Sequence, residues 1–256
     1  MSEQTTTAES NLDLPSEARD VLSLGELHGL DFLATHPNTH ILVHFSPHSK
    51  PEDLGDESYF EKPLEKADIY AMEHLRHEPD EQSILNDVSN QRFSLKDIAV
   101  NTEGILPRTL SAVHQTGIRA VITDIDANHS LSHETKTSSL IPLLGMTLLM
   151  HGDDPKHPEV EKLTESIAKL ENSREWVVLS ELGNKIEQLC QSDPTIAEKL
   201  ASGELNVFMT FGSLHTGLFH KLRRLGLDPK RTFPNKPHIY DFISTAIRQK
   251  MFERSK

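Results

Sequence analysis

Val207–Gly217 reads VFMTFGSLHTG: an apolar run that stops on Gly212 and presents His215 three residues later. Such a run, without polar alternation and ended by a glycine, is the pattern of a buried strand. Leu22–Gly29, LSLGELHG, has the same outline, with Gly25 followed at once by Glu26 and His28. Two strand–Gly–x–x–His units therefore bracket the chain, with Val21–Leu24 read as the first strand. The expected fold is one that brings the two units together.

Between them, His40–Phe45, Asp68–Met72 and Ile118–Thr123 are further strand candidates. Pro107–Gln115 is a helix with Pro at its first turn and Gly117 as its stop, and it leads straight into the strand Ile118–Thr123. Helix, glycine, strand in that order is the signature of an α/β crossover. Other helices are expected at Pro79–Val88, Ser94–Val100, Thr135–His151, Glu159–Leu170, Arg174–Gln191, Pro194–Ser202, His215–Leu225 and Ile239–Arg254. Ser46–Pro63 and Lys230–His238 read as proline-punctuated connections. Residues 1–16 form a polar tail, from which Leu12 and Leu14 can dock on the body. Residues 17–256 make one α/β domain, with a central mixed, mostly parallel sheet flanked by helices.

The chain has 256 residues, enough for a full core. Its formal charge of −13 argues against a nucleic-acid partner, which asks for a basic face, and against an anionic membrane surface. The longest apolar stretch, Leu140–Met150, is about half of the ~20 residues needed for a membrane span and holds Pro142 and Gly145. A single cysteine, Cys190, rules out an intramolecular disulfide. With no secretory signal visible at residues 1–16, a cytoplasmic location is expected.

Four strand candidates end in a polar cluster: Gly25-Glu26-x-His28, Glu73-His74, Asp124-x-Asp126 and Gly212-x-x-His215. In α/β sheets ligands bind at the carboxyl ends of strands, because the loops there converge on a rigid base. Two histidines with several carboxylates can hold a divalent metal, here His28, His215, Glu26 and Glu73. They can also run acid–base chemistry without a metal, a His oriented by a carboxylate activating water. Gly25 and Gly212 are read as sharp strand-end turns that let backbone approach a ligand. Arg174, placed at the head of a helix where a positive charge is unfavourable, points to pairing with an anion. Each has a plainer reading: a loop histidine, a solvated acid, a helix cap at Asp124, a turn residue at Asp126, a surface arginine. His74 points away from Glu73, and the runs His36-His40-His44-His48 and His74-His77 lack a spacing that would aim them together.

The two Gly-x-x-His units, Gly25–His28 and Gly212–His215, resemble the signature motifs of the TraB/Tiki group, within the wider erythromycin esterase/ChaN-like superfamily. A strand ending in Glu73, a strand ending in Asp124, and Arg174 before the last strand follow the same order. Where TraB-like proteins read Asp-Arg, this chain has Asp124-Ile125. The resemblance implies a mixed α/β sheet of two related halves with the active site where the His-bearing loops meet. It implies hydrolysis of a peptide or ester bond in a small-molecule or peptide substrate, with Glu26, His28, Glu73, Asp124, Arg174 and His215 as catalytic residues. A divalent metal (Mn, Co or Zn) would be the cofactor. The ChaN branch instead implies haem or small-ligand binding without catalysis, and a degenerate structural member is the third alternative.

Overall fold

The computed structural model describes residues 14–46, 60–74, 80–92, 107–134, 137–152 and 154–232. Most of the expected tail and the expected helices at Ser94–Val100 and Ile239–Arg254 lie outside these residues. In chain order the elements are α1 (Ser16–Arg19), α2 (Leu24–Thr35), β1 (His40–Ser46), α3 (Glu61–Lys66), β2 (Ile69–Met72), α4 (Glu81–Ser89) and α5 (Pro107–Thr116). There follow β3 (Arg119–Ile122), α6 (Ser130–Glu134), α7 (Thr137–Met150), α8 (Pro158–Ser192), α9 (Pro194–Ser202), β4 (Asn206–Gly212), α10 (Gly217–Arg224) and β5 (Lys230–Thr232). A single 3₁₀ turn, Ser213–His215, joins β4 to α10.

The five strands form one sheet in the order β3-β2-β4-β1-β5, and every pair is parallel. The antiparallel member that a mixed sheet requires is not found among the described residues. β4 lies at the centre, in register with β1 along its whole length and with β2 from Ile69–Val207 to Met72–Thr210. β5, Lys-Arg-Thr at the sheet edge, carries no apolar signal. Edge strands are commonly short and charged, which keeps other chains from pairing with them.

Alternation along the strands supplies two cores. Ile41, Val43, Phe45, Ile69, Ala71, Val207, Met209 and Phe211 face α1, α2, α8 and α10. Tyr70, Met72, Ala120, Ile122 and Phe208 face α3, α4 and α5. Both faces of the sheet are thus covered, which explains why its central strands read as unbroken apolar runs. Leu14 is buried in the first core, as the docking of the tail requires.

Besides β5, which lies where Lys230–His238 reads as a connection, two more elements differ from the sequence reading. Val21–Leu24 is not a strand, because Ser23 begins a capping box. The Ser23 amide donates to Glu26 Oε2 at 2.7 Å, and the Glu26 amide donates to Ser23 Oγ at 3.4 Å, so the helix α2 starts at Leu24. Ser-x-x-Glu before an apolar run is a helix start, and it overrides the short apolar tetrad. Second, Glu159–Leu170 and Arg174–Gln191 are one helix of 35 residues. Neither Asn172 nor Ser173 is Gly or Pro, and the Asn172 side chain accepts a 2.8 Å hydrogen bond from Lys221 Nζ and so does not compete for the backbone, so nothing stops the ladder between them. At 1.5 Å per residue α8 runs about 52 Å, and it is the main support of one face of the sheet.

α2 and α8 cross with their backbones in contact. A Cβ built at Gly29 would lie 2.0 Å from the Ser180 carbonyl oxygen, and one at Gly183 would lie 1.9 Å from the Gly29 oxygen. Only glycines permit this approach. The second glycine of LGELHG is therefore a packing residue.

Candidate functional site

Three adjacent strands, β3, β2 and β4, deliver their carboxyl-terminal residues to one point, and α8 supplies an arginine to it. Arg174 binds Asp124 with two hydrogen bonds, Nε to Oδ1 at 2.9 Å and Nη2 to Oδ2 at 2.5 Å. Nη2 also donates to Glu73 Oε1 at 2.6 Å, and Nη1 reaches Glu171 Oε2 at 3.4 Å. His215 lies against the same group, its Nε2 at 3.0 Å from both Glu73 Oε1 and Arg174 Nη1. The other Glu73 oxygen accepts from the Gly212 amide at 2.6 Å, tying the end of β2 to the end of β4.

Arg174, Asp124, Glu171 and His215 are all buried, with His215 only 1% exposed. Burial opposes the charge on Arg174, but the carboxylates of Asp124, Glu73 and Glu171 outweigh it and push its pKa further above the usual arginine value. Burial likewise opposes protonation of His215, and Arg174 adds to that. Glu73 and Glu171 reverse the balance, and its pKa is raised. One guanidinium against three carboxylates leaves an excess of two negative charges, and a proton on His215 reduces it to one. Nε2 of His215 can serve one neighbour at a time: protonated it donates to Glu73, neutral it can accept from Arg174. Nδ1 has no hydrogen-bond partner among the described residues and faces Glu171 Oε2 at 3.4 Å as a charge contact.

Arg174 is in mid-helix and not at a helix head. Its environment is set by the three carboxylates, and the helix-terminus reasoning does not apply to it. Gly212 has an extended backbone (φ −62°) and serves through its N–H. Gly25 lies in the first turn of α2 with nothing within 4 Å of a built Cβ. Neither glycine has the positive φ expected of a strand-end turn.

Glu26 and His28 do not join the cluster through any contact. Glu26 caps α2 and pairs with His129 Nε2 at 2.7 Å. That hydrogen bond, against some desolvation, lowers the Glu26 pKa to about 2, and the same bond raises that of His129. Ser180 Oγ holds the Glu26 carbonyl and fastens the turn to α8. His28 is 59% exposed and pairs with Glu187 Oε2 at 2.8 Å. Glu187 and Arg174 are 13 residues apart on α8, hence about 20 Å along its axis and roughly 140° apart around it. His28 and His215 therefore cannot close on one ion, since His–metal bonds are about 2 Å. Nor does a metal fit within the Arg174 cluster, where the guanidinium already stands among the carboxylates as their cation.

No family model, curated protein or solved structure matches the chain.

Asp126 accepts from the Asn128 amide at 2.7 Å, a turn residue, and His74 pairs with Glu81 at 2.9 Å. Sequence reasoning missed Glu171, Glu187 and His129. Glu171 carried a usable signal, because it stands three residues before Arg174 and so faces the same way on a continuous helix. Glu187 and His129 had none, since only the folding of α2 against α8 makes them neighbours of His28 and Glu26. No described helix is long and apolar enough to cross a membrane.

Proposed function

We propose that this chain is a hydrolase of ester or peptide bonds that works without a metal, with His215 as the proton-transfer group. One observation carries the reading. His215 is held at Nε2 by Glu73, while Nδ1 has no hydrogen-bond partner among the described residues and faces Glu171 Oε2 at 3.4 Å, at the carboxyl ends of three parallel strands. A carboxylate that fixes one imidazole nitrogen leaves the other oriented for acid–base work. Glu73, braced by Arg174 and the Gly212 amide, is the positioning residue. Arg174, with Nε, Nη1 and Nη2 all engaged by Asp124, Glu171, His215 and Glu73, helps to fix Glu73 and His215 in place. Asp124 and Glu171 keep the guanidinium in place. Because the His215 pKa is raised, the base form gains population as pH climbs above the ordinary imidazole range.

Haem does not suit this point, because three carboxylates and a guanidinium do not make the apolar walls a porphyrin needs. A purely structural role is the second reading, and the enclosure of His215 favours it. The two are separated by a panel of chromogenic esters and peptides, assayed with and without EDTA, on the native chain and on His215→Gln. The hydrolase reading expects turnover insensitive to EDTA and a fall in kcat of about 10²–10⁴ in the variant while it stays folded by circular dichroism. Absence of turnover across the panel, or a variant as active as the parent, favours the structural role.

A further inference from the structure

We propose that His151, His157 and Glu159 form a binding site for a zinc-class divalent cation at the turn between α7 and α8. His151 follows the last residue of α7. His157 is the residue before α8, and Glu159 stands in its first turn. One ligand atom from each lies within 4.8 Å of the other two. His151 Nε2 is 3.2 Å from Glu159 Oε2, and the two imidazoles stack with centroids 3.5 Å apart and planes 11° apart. Ligands bound at about 2.0–2.1 Å on a tetrahedral ion stand roughly 3.4 Å from one another, so the three groups must close slightly and the stacked rings must tilt apart to aim both lone pairs at one ion.

His157 Nδ1 already accepts the Glu159 amide at 3.4 Å as the helix cap. Coordination through Nε2 puts the ring proton on Nδ1, so this long cap bond is given up when the cation binds. Two imidazoles and one carboxylate suit Zn²⁺, Co²⁺ or Ni²⁺, whereas Ca²⁺ and Mg²⁺ ask for oxygen donors throughout. Water completes the shell, because Glu159 is exposed and His151 and His157 are partly so.

The site is distinct from the Arg174 cluster, 15 residues along α8 from Glu159 and hence about 22 Å away. Its ion would join the end of α7 to the start of α8. Those helices share a small core of Leu144, Leu148, Val160 and Ile167, against which Leu214, the neighbour of His215, also packs. The cation would thus brace the helix pair beside the buried histidine. The inference stands on the three ligands alone and not on the hydrolase reading.

The test is calorimetric titration of the chelator-stripped full chain with zinc chloride at neutral pH, together with thermal unfolding with and without zinc. One binding event is expected, with a rise in Tm. Supporting partners of metal ligands are themselves worth about 10–100-fold in affinity, so removing a ligand by His151→Gln or Glu159→Gln should weaken binding at least tenfold and abolish the Tm rise. His157→Gln provides a third variant should either of these fold poorly. No zinc binding up to millimolar concentration overturns the proposal, and so does binding that all folded variants retain at the parent's affinity.

Discussion

Replacing Arg174 by methionine tests the charge balance on which the cluster rests. The substitution keeps most of the side-chain volume and removes the cation. Asp124 then loses both of its guanidinium bonds, Glu73 loses a 2.6 Å bond, and Glu171 loses its 3.4 Å contact with the guanidinium. Three carboxylates remain on a buried face with only His215 to oppose them. Removing one partner of a buried ion pair costs about 3–5 kcal/mol. Domain stabilities run about 5–15 kcal/mol, so the variant should lose about a fifth of the total or more. At about 2–4 °C per kcal/mol for a chain of this size, Tm should fall by roughly 6–20 °C.

The loss must also depend on pH in one direction. Unpaired buried carboxylates have folded-state pKa values raised above their unfolded values. A group of that kind stabilises most fully below its unfolded pKa and loses that contribution as pH rises through its folded pKa. The deficit of Arg174→Met against the parent is therefore largest at neutral pH and shrinks on acidification towards pH ~5. Urea unfolding of both proteins at the two pH values measures it. A deficit under about 1 kcal/mol at neutral pH, the size of an exposed pair, or an equal deficit at both pH values, refutes the account.

Three other perturbations follow from the geometry. Gly29→Ala drives a methyl group into the Ser180 carbonyl, so α2 and α8 must part at a cost of about 1–3 kcal/mol or more. Gly25→Ala meets nothing and gains up to about 1 kcal/mol of helix propensity, and denaturant midpoints of the two variants should move in opposite directions. The Glu26–His129 pair gives a bounded pH window. With the Glu26 pKa lowered to about 2, its contribution is present above the ordinary 4.5 and lost as pH falls towards 2. With the His129 pKa raised, its contribution is present below 6.5 and lost as pH climbs through the raised value. Stability of the parent minus that of His129→Gln should therefore peak between those limits, at about 1 kcal/mol given partial exposure, and a flat difference across pH 3–8 argues that the pair is not coupled. His28→Ala removes only an exposed contact to Glu187, so stability should change by less than about 1 kcal/mol and any hydrolytic activity should persist; its loss would reinstate His28 at the reacting centre.

Much of the fold was legible because it rests on local pattern. β1, β2, β3 and β4 are apolar runs that end where the chain turns polar, and α5 carries its start and stop signals in Pro107 and Gly117. The capping box at Ser23 and Glu26 was equally legible in principle. It lost to the apolar outline of LSLG, a tetrad too short to decide between strand and helix. Glu73, Asp124 and His215 were readable as strand-end residues, and Arg174 as a cation that needs a partner. The likeness between GELH and GSLH was of another kind, since the two stretches share letters but not conformation.

What the sequence determined by itself is an α/β domain with a mostly parallel sheet flanked by helices, and the placing of polar groups at strand ends. Those follow from side-chain periodicity and burial, which are properties of short segments. Only the tertiary structure decided which polar groups meet. The crossing of α2 on α8 through Gly29 and Gly183 sends Glu26 to His129 and His28 to Glu187. The unbroken course of α8 brings Arg174 and Glu171 under the strand ends beside His215. An ion pair forms where two backbones carry its members together, and residues distant in sequence hold no local record of that meeting.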